Sequence, residues 1–516
     1  MPTTALPRVP RRLLALAVAP LAAAAAIAGC GSSGAGETDP AGLVPASAPV
    51  YLEAVVNPDD QEAGDARAAL SKILRTSEPG AKLVQLIDRG GRREGIRFEQ
   101  DIEPWLGDRV GVGVLAFARR EADTVVVAPS TDNDKAQEAI DKLLEGGDER
   151  TYRDVDYLVD GDDGTAAGIV GDAVVIGTEP GFKSAVDASK GSSLAEADAL
   201  KTARSTVSQE RSGFAYLDVA GALRQAAGAA GDTAAQAAPL LDPIAKSLPR
   251  TVGAALDMES DLVRVDSAAF GGPANTEPAR SGADALAALP ADAWLGAGVG
   301  DLGQTLTSFL DGIASGGGLG GIGLEALLGQ AQQATGLDIR RDVLAWMGDA
   351  GVFLAGTTSD DARGALVITS KDPAATRDTV QALRRLLAGH DIEDLDAAGV
   401  DEGFLLRGDA DRHDVLVAAA RDKFVVALGR RALDETLAPG ATLGSTAAFT
   451  DAAGRLGGGV RPEFFLDVER LTALLDAKKG SEFDHVRPYF EAFGVAVAGS
   501  RRDDDGKRGR AIATLK

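Results

Sequence analysis

The chain has 516 residues and a formal net charge of −24, from 53 basic and 77 acidic side chains. Such a field repels nucleic acid and anionic lipid headgroups, both of which are held through basic patches, so nucleic-acid binding and a polybasic membrane contact are set aside. A hydrophobic fraction of 45% is that of a globular protein, while aromatics at 4% leave Leu, Val, Ile and Ala to fill the cores.

The N-terminus carries Arg8, Arg11 and Arg12, followed by the uncharged run Leu13 to Ala28. This is the charged and apolar order of a secretory signal. The run contains Pro20, is rich in alanine, and is shorter than the roughly 20 apolar residues a spanning helix needs. A cleaved leader over 1–29 is therefore expected. Ile27-Ala28-Gly29-Cys30 then resembles the lipobox of bacterial lipoproteins, in which small residues fit a peptidase cleft and the following thiol is alkylated by a diacylglyceryl group. That resemblance makes Cys30 a lipid attachment point and the first mature residue, with the protein exported and anchored to the outer face of the cytoplasmic membrane. Cys30 is the sole cysteine, so an intramolecular disulfide is excluded. Residues 31–48 are small, polar and proline-containing, and read with Cys30 as a flexible tether spanning about 25 Å as a coil.

From residue 43 the chain is written twice. The stretch at 43–56 is echoed at 288–299, each a Pro-Ala-x-Ala turn leading into an apolar strand. Trp105, Gly107 and Asp108 stand opposite Trp346, Gly348 and Asp349. The strand-turn-helix pattern of 124–146 recurs at 365–389, the strand of 172–177 at 422–429, the strand-helix junction of 213–225 at 463–475, and a closing hairpin at 252–270 and 493–515. The order is preserved throughout, which implies an internal duplication. First and second repeats over 43–270 and 286–516 are joined by a Gly- and Pro-rich linker at 271–285.

Within a repeat, Val50 to Val56, Val110 to Phe117 and Thr251 to Met258 alternate as strands, and Lys135 to Leu144, Ala195 to Val207 and Val219 to Ala230 read as helices. Tight turns at Gly171-Asp172 and at Glu259-Ser260-Asp261 join consecutive strands and make antiparallel pairs. The expected fold is α+β: two tandem homologous domains, each a mainly antiparallel sheet packed with helices.

Candidate chemistry is sparse. The Trp of Trp105-Leu106-Gly107-Asp108, like that of Trp346-Met347-Gly348-Asp349, offers either a ligand platform or, preferably, a buried ring packing over the sheet before the chain turns into a strand. Asp218 and Asp467 each end a strand and begin a helix, where a carboxylate caps free amides more readily than it catalyses. The acidic run 160–164 lacks Glu at the twelfth position of a calcium loop and reads as a hairpin turn, as does 501–506. Gly318 to Gly323 fits a GxGxxG pattern but follows a helical run instead of a strand, so it reads as a loop. No nucleophile motif occurs, and His390, His413 and His485 show no metal-ligand spacing. No cofactor, metal or catalytic residue is called, and no enzyme activity is expected.

The lipobox, the Pro-Ala-x-Ala-Pro-Val-Tyr-Leu start at 45–52, the acidic helix leading to Trp105-Leu106-Gly107-Asp108, and the element order over 43–516 resemble a family of high-GC bacterial exported proteins called domain of unknown function 3352. The resemblance implies a lipid-anchored, extracytoplasmic globular protein and transfers no site residue. A non-enzymatic binding or structural module of the cell envelope, with an unknown envelope component or protein as partner, is the first expectation. The alternative is a carrier of lipid or another hydrophobic ligand, with the Ala- and Leu-rich stretch Val219 to Leu248 lining its cavity.

Overall fold

The computed structural model describes residues 38–516 except 57–59, 91–94, 118–121, 209–210, 230–247, 272–279, 316–323, 359–360, 409–413, 477–486 and 504–505. Cys30 and the leader residues Ile27, Ala28 and Gly29 lie outside the described residues, as do His413, His485 and Gly318 to Gly323. The chain divides into two compact units that meet between Gly272 and Pro273, within the expected linker.

Unit 1 contains β1 (Val50–Val55), β2 (Arg109–Ala116), β3 (Asp123–Pro129), β4 (Asp148–Tyr152), β5 (Val155–Val159), β6 (Thr165–Ile169), β7 (Ala173–Thr178), β8 (Gly213–Asp218), β9 (Thr251–Glu259) and β10 (Leu262–Phe270). They pair in the order β10-β9-β8-β1-β2-β3-β7-β6-β5-β4, each pair antiparallel. Tight connections make the hairpins β2–β3, β4–β5, β5–β6, β6–β7 and β9–β10, whereas β1 reaches its antiparallel neighbour β2 only after helices Asp60–Leu74 and Pro79–Gly90, and β8 reaches β9 after helix Val219–Ala229.

Unit 2 contains β11 (Ala293–Val299), β12 (Met347–Ala355), β13 (Arg363–Ser370), β14 (Ile392–Asp394), β15 (Glu402–Leu406), β16 (Val415–Ala420), β17 (Lys423–Leu428), β18 (Arg461–Asp467), β19 (Phe493–Asp503) and β20 (Gly506–Leu515). Their order is β20-β19-β18-β11-β12-β13-β17-β16-β15-β14. Each strand of unit 1 has its counterpart at the same place in this order.

The central strands of both sheets are buried on both faces, while the outermost β4 and β14 are largely exposed. In β3, Val125 and Val127 enter one apolar cluster while Val126 and Ala128 enter another. This explains why the segment reads as an unbroken apolar run instead of an alternating one. The first cluster packs the sheet against helices Glu179–Lys190 and Asp198–Thr206 through Phe182, Val186, Leu200 and Ala203. The second packs it against helix Asn133–Leu143 through Ala136, Ala139, Ile140 and Leu143. In unit 2, Leu433, Phe449 and Leu456 cover one face, and Val380 of helix Pro373–Leu386 covers the other.

The Pro-Ala-x-Ala segments are turns in both units: Ala48 N donates to Pro45 O and Ala293 N to Pro290 O, each at 3.0 Å. Each turn also bridges to a distant loop, Pro45 to Ser193 and Pro290 to Thr442.

Two boundaries move. The tether was expected to run to residue 48, but Asp39 caps a short 3-10 helix, Pro40–Leu43, and Ala41, Leu43, Val44 and Ala48 are buried in the core of unit 1. Pro40 sits over Gly111, where a Cβ would approach its side chain to 2.6 Å. Four residues are too few to display a period, so this turn carries no pattern to recognise. Likewise the linker ends early, because helix Ala283–Ala287 buries Ala283 and Leu286. The helix expected over Ala195 to Val207 is a 3-10 turn, Leu194–Glu196, followed by Asp198–Thr206, interrupted where Ala197 is extended.

Candidate functional site

In unit 1 a cavity of about 60 Å³ lies between the sheet and the elements that cover the second face. Its floor is Val110, Val126, Ala128, Val174 and Ile176 from three adjacent strands. One wall is helix Asn133–Leu143, through Ala139, Ile140 and Leu143, and the opposite wall is built by Phe98, Ile102, Trp105 and Leu106. Every lining residue is apolar.

The second wall begins as a π-helical turn, Phe98–Ile102. Such turns open a ladder and re-aim side chains, often beside functional sites. Here Asp101 organises the wall. Its Oδ2 accepts from Arg97 N at 2.6 Å, its carbonyl oxygen accepts the Trp105 indole N–H at 2.7 Å, and its carboxylate pairs with Lys142 at 2.8 Å. Lys142 belongs to helix Asn133–Leu143, so this ion pair ties the two walls together. Burial pushes the Asp101 carboxyl up, and the Lys142 ammonium together with the Arg97 amide more than offset this, leaving it below the usual aspartate range.

Both Trp residues are buried, Trp105 at 6% and Trp346 at 1% exposure. The packing role therefore holds in both units, and in unit 1 the ring also borders the cavity. The same frame surrounds each ring. Trp105 O accepts from Thr131 N at 2.8 Å and Trp346 O from Lys371 N at 2.7 Å; Asp132 and Asp372 cap the helices that follow. The indoles differ in partner, because Trp346 donates to Thr379 Oγ1 at 3.1 Å, where helix Asn133–Leu143 offers Ala139 instead.

Asp218 and Asp467 cap their helices as expected, accepting from Gly221 N at 3.0 Å and from Arg470 N at 3.1 Å. Asp218→Ala or Asp467→Ala should each lower unfolding free energy by about 1 kcal/mol. A shift in the urea midpoint checks this; an unmoved midpoint would mean that other groups satisfy those amides. In the acidic run, Asp160 Oδ1 accepts from Asp162 N at 2.7 Å, which makes the segment the β5–β6 turn. His390 is exposed in a loop. Helix Val219–Ala229 contributes nothing to the cavity lining, and 230–247 lie outside the described residues. The hydrophobic space forms instead where small residues of β3 and β7 meet helix Asn133–Leu143.

Sequence reasoning missed a buried ionic network on the other face of the unit 1 sheet. Glu53, in β1, is 3% exposed. Its carboxylate accepts from Tyr51 Oη at 2.8 Å, Arg109 Nη1 at 3.0 Å and Arg204 Nη2 at 2.5 Å. Arg204 also binds Asp39, at 2.6 and 3.1 Å. Burial and then the Glu53 charge push the Tyr51 hydroxyl well above its ordinary value, so it stays a donor. Burial pushes Asp39 up, and Arg204 more than offsets this, holding the carboxyl below its usual range. The network fastens the N-terminal turn and helix Asp198–Thr206 to the sheet.

Among the described residues no group of His, Cys, Asp and Glu could hold a metal ion, and no helix is long and apolar enough to cross a membrane. No curated protein matches the chain. Among solved structures it is similar to the chain titled "Structure of crystal form I of TP0453", at 11% identity over 47% of this chain and 82% of that one, with a TM-score of 0.27. Crystal form III of TP0453 is similar at 14% identity over 46% and 82%, with a TM-score of 0.26. Scores at this level carry no argument about fold or function. The family model described as "Protein of unknown function (DUF3352)" matches residues 13–512, almost the whole chain, and this protein belongs to that family.

Proposed function

We propose that the protein is an exported lipoprotein, moored through a lipid on Cys30, that serves the cell envelope as a non-enzymatic binding module by carrying a hydrophobic ligand in unit 1. The observation that carries the reading is the cavity, whose lining from Ile87 to Ile176 is apolar throughout. A site of this kind has no group with which to orient a polar substrate or stabilise charge in a transition state, so it suits hydrocarbon and offers no catalysis. Two related domains arisen by duplication are part of the proposal. Support comes from the shared strand order, the matching Pro-Ala-x-Ala turns and bridges, and the repeated cap at Asp132 and Asp372.

The anchor follows from the Ile27-Ala28-Gly29-Cys30 sequence. Two acyl chains at about 0.8 kcal/mol per buried methylene give on the order of 20 kcal/mol of gross insertion energy, which makes membrane residence all-or-none. Cys30→Ser should therefore move the protein from the membrane fraction to the soluble one, and intact-mass analysis of the native protein should show diacylglyceryl on that thiol. An unmodified thiol would remove the anchor from the proposal. For the ligand, native mass spectrometry of the protein purified from membranes should show an added apolar mass that solvent extraction removes. A clean polypeptide mass, with no uptake of an added fatty acid, would overturn the carrier reading.

A further inference from the structure

The two units share a strand order, yet the space filled by the cavity in unit 1 has a different lining in unit 2. The correspondence is set by backbone hydrogen bonds. Ser130 N donates to Asp172 O at 2.8 Å, and Ser370 N donates to Asp422 O at 2.6 Å. Two residues before each serine and two after each aspartate stand a cross-strand pair: Ala128 with Val174 in unit 1, and Ile368 with Phe424 in unit 2. All four side chains are buried and belong to the cluster that contains the Trp of their unit. In unit 1 they border the cavity. In unit 2 the Phe424 ring packs on Trp346, with centroids 5.5 Å apart, and Ile368 stands beside it. Isoleucine and phenylalanine carry several more carbons than alanine and valine, enough to occupy a space of this size.

We propose that Ala128 and Val174 are the residues that let unit 1 accept one hydrocarbon chain, and that Ile368 and Phe424 close the corresponding place in unit 2. This rests on the carrier reading and names its ligand class. The cavity is small and wholly apolar, so a rigid ring system or a headgroup does not suit it, whereas the methyl end of a slender, flexible acyl chain fits its roughly 60 Å³, the rest of the chain lying outside the cavity. The acyl chain could come from a free fatty acid or from a membrane lipid, and the chemistry recognised is the same.

The test is a titration of the full-length protein with cis-parinaric acid, whose fluorescence rises in apolar surroundings. The wild type should bind one probe per chain. Ala128→Ile/Val174→Phe should weaken binding at least tenfold while far-UV circular dichroism stays unchanged. The reciprocal Ile368→Ala/Phe424→Val should raise the stoichiometry to two, a gain that misfolding cannot mimic if the second site saturates. Displacement of the bound probe by laurate or by lysophosphatidylcholine supports recognition of the chain, and comparing the two identifies its source. If the folded Ala128→Ile/Val174→Phe variant binds the probe as the wild type does, or if the unit 2 variant gains no second site, the assignment is overturned while the carrier reading stands. If the wild type binds no probe and yields no extractable lipid, the carrier reading itself falls.

Discussion

Replacing Arg204 with leucine is expected to destabilise unit 1 by about 3–5 kcal/mol, the cost typical of breaking a buried ion pair from one side. The magnitude comes from what remains behind. Glu53 is 3% exposed, and without Arg204 its carboxylate keeps only Arg109 and the Tyr51 hydroxyl. Asp39 loses both of its hydrogen bonds from the guanidinium, which releases the turn at Pro40–Leu43 from helix Asp198–Thr206. Chemical denaturation followed by circular dichroism reads the change. The double variant Glu53→Gln/Arg204→Leu should recover part of the loss, because the stranded charge is gone. A loss below about 1 kcal/mol for Arg204→Leu would show that water reaches Glu53 and that the network contributes little. The network also sets an acid limit. Asp39 has a folded pKa below its unfolded one, so its contribution is complete above the ordinary aspartate pKa and is lost as pH falls through the lower folded value. The Arg204→Leu variant should accordingly lose less stability than the wild type as the pH is lowered through that window.

Trp346→Ala should cost unit 2 about 3–5 kcal/mol, whereas Trp105→Ala should cost unit 1 less, by about 1 kcal/mol or more. The residue type is the same and the frame of backbone hydrogen bonds is the same. What differs is the packing around the ring. Trp346 is 1% exposed, touches Phe424, and donates its indole N–H to Thr379. Trp105 faces a cavity on one side, so fewer dispersion contacts disappear with it. Denaturation midpoints of the two variants measure the difference. Equal losses would mean that the cavity wall in unit 1 is packed as tightly as the core of unit 2, and would argue against room for a ligand there.

Much of this architecture is written in short stretches of chain. The strand from Thr251, the helix from Val219, the Pro-Ala-x-Ala turns and the caps at Asp218 and Asp467 each depend on a few neighbouring residues, and local rules suffice to read them. The similarity of the two halves in sequence has the same basis, since aligned blocks preserve local patterns, and the two units share one strand order. The α+β class and the antiparallel hairpins such as β6–β7 and β9–β10 follow from short connections, whereas pairs such as β1–β8 join strands far apart in the chain.

The site was a different matter. Glu53 stands inside an apolar strand, where alternation alone would place it toward water. Its partners Arg109 and Arg204 lie 56 and 151 residues away, and nothing near Glu53 announces them. Composition points to the Ala- and Leu-rich stretch from Val219 as a cavity lining, yet the cavity forms among Ala128, Ala139 and Val174, residues that do not stand out in any window. A void is the difference between the volume that a frame encloses and the volume that its side chains supply. Periodicity and capping chemistry act over a handful of residues and therefore specify the elements. Burial of a charge and incomplete filling of a core arise only when distant segments meet, so they were settled by the packing of the folded chain.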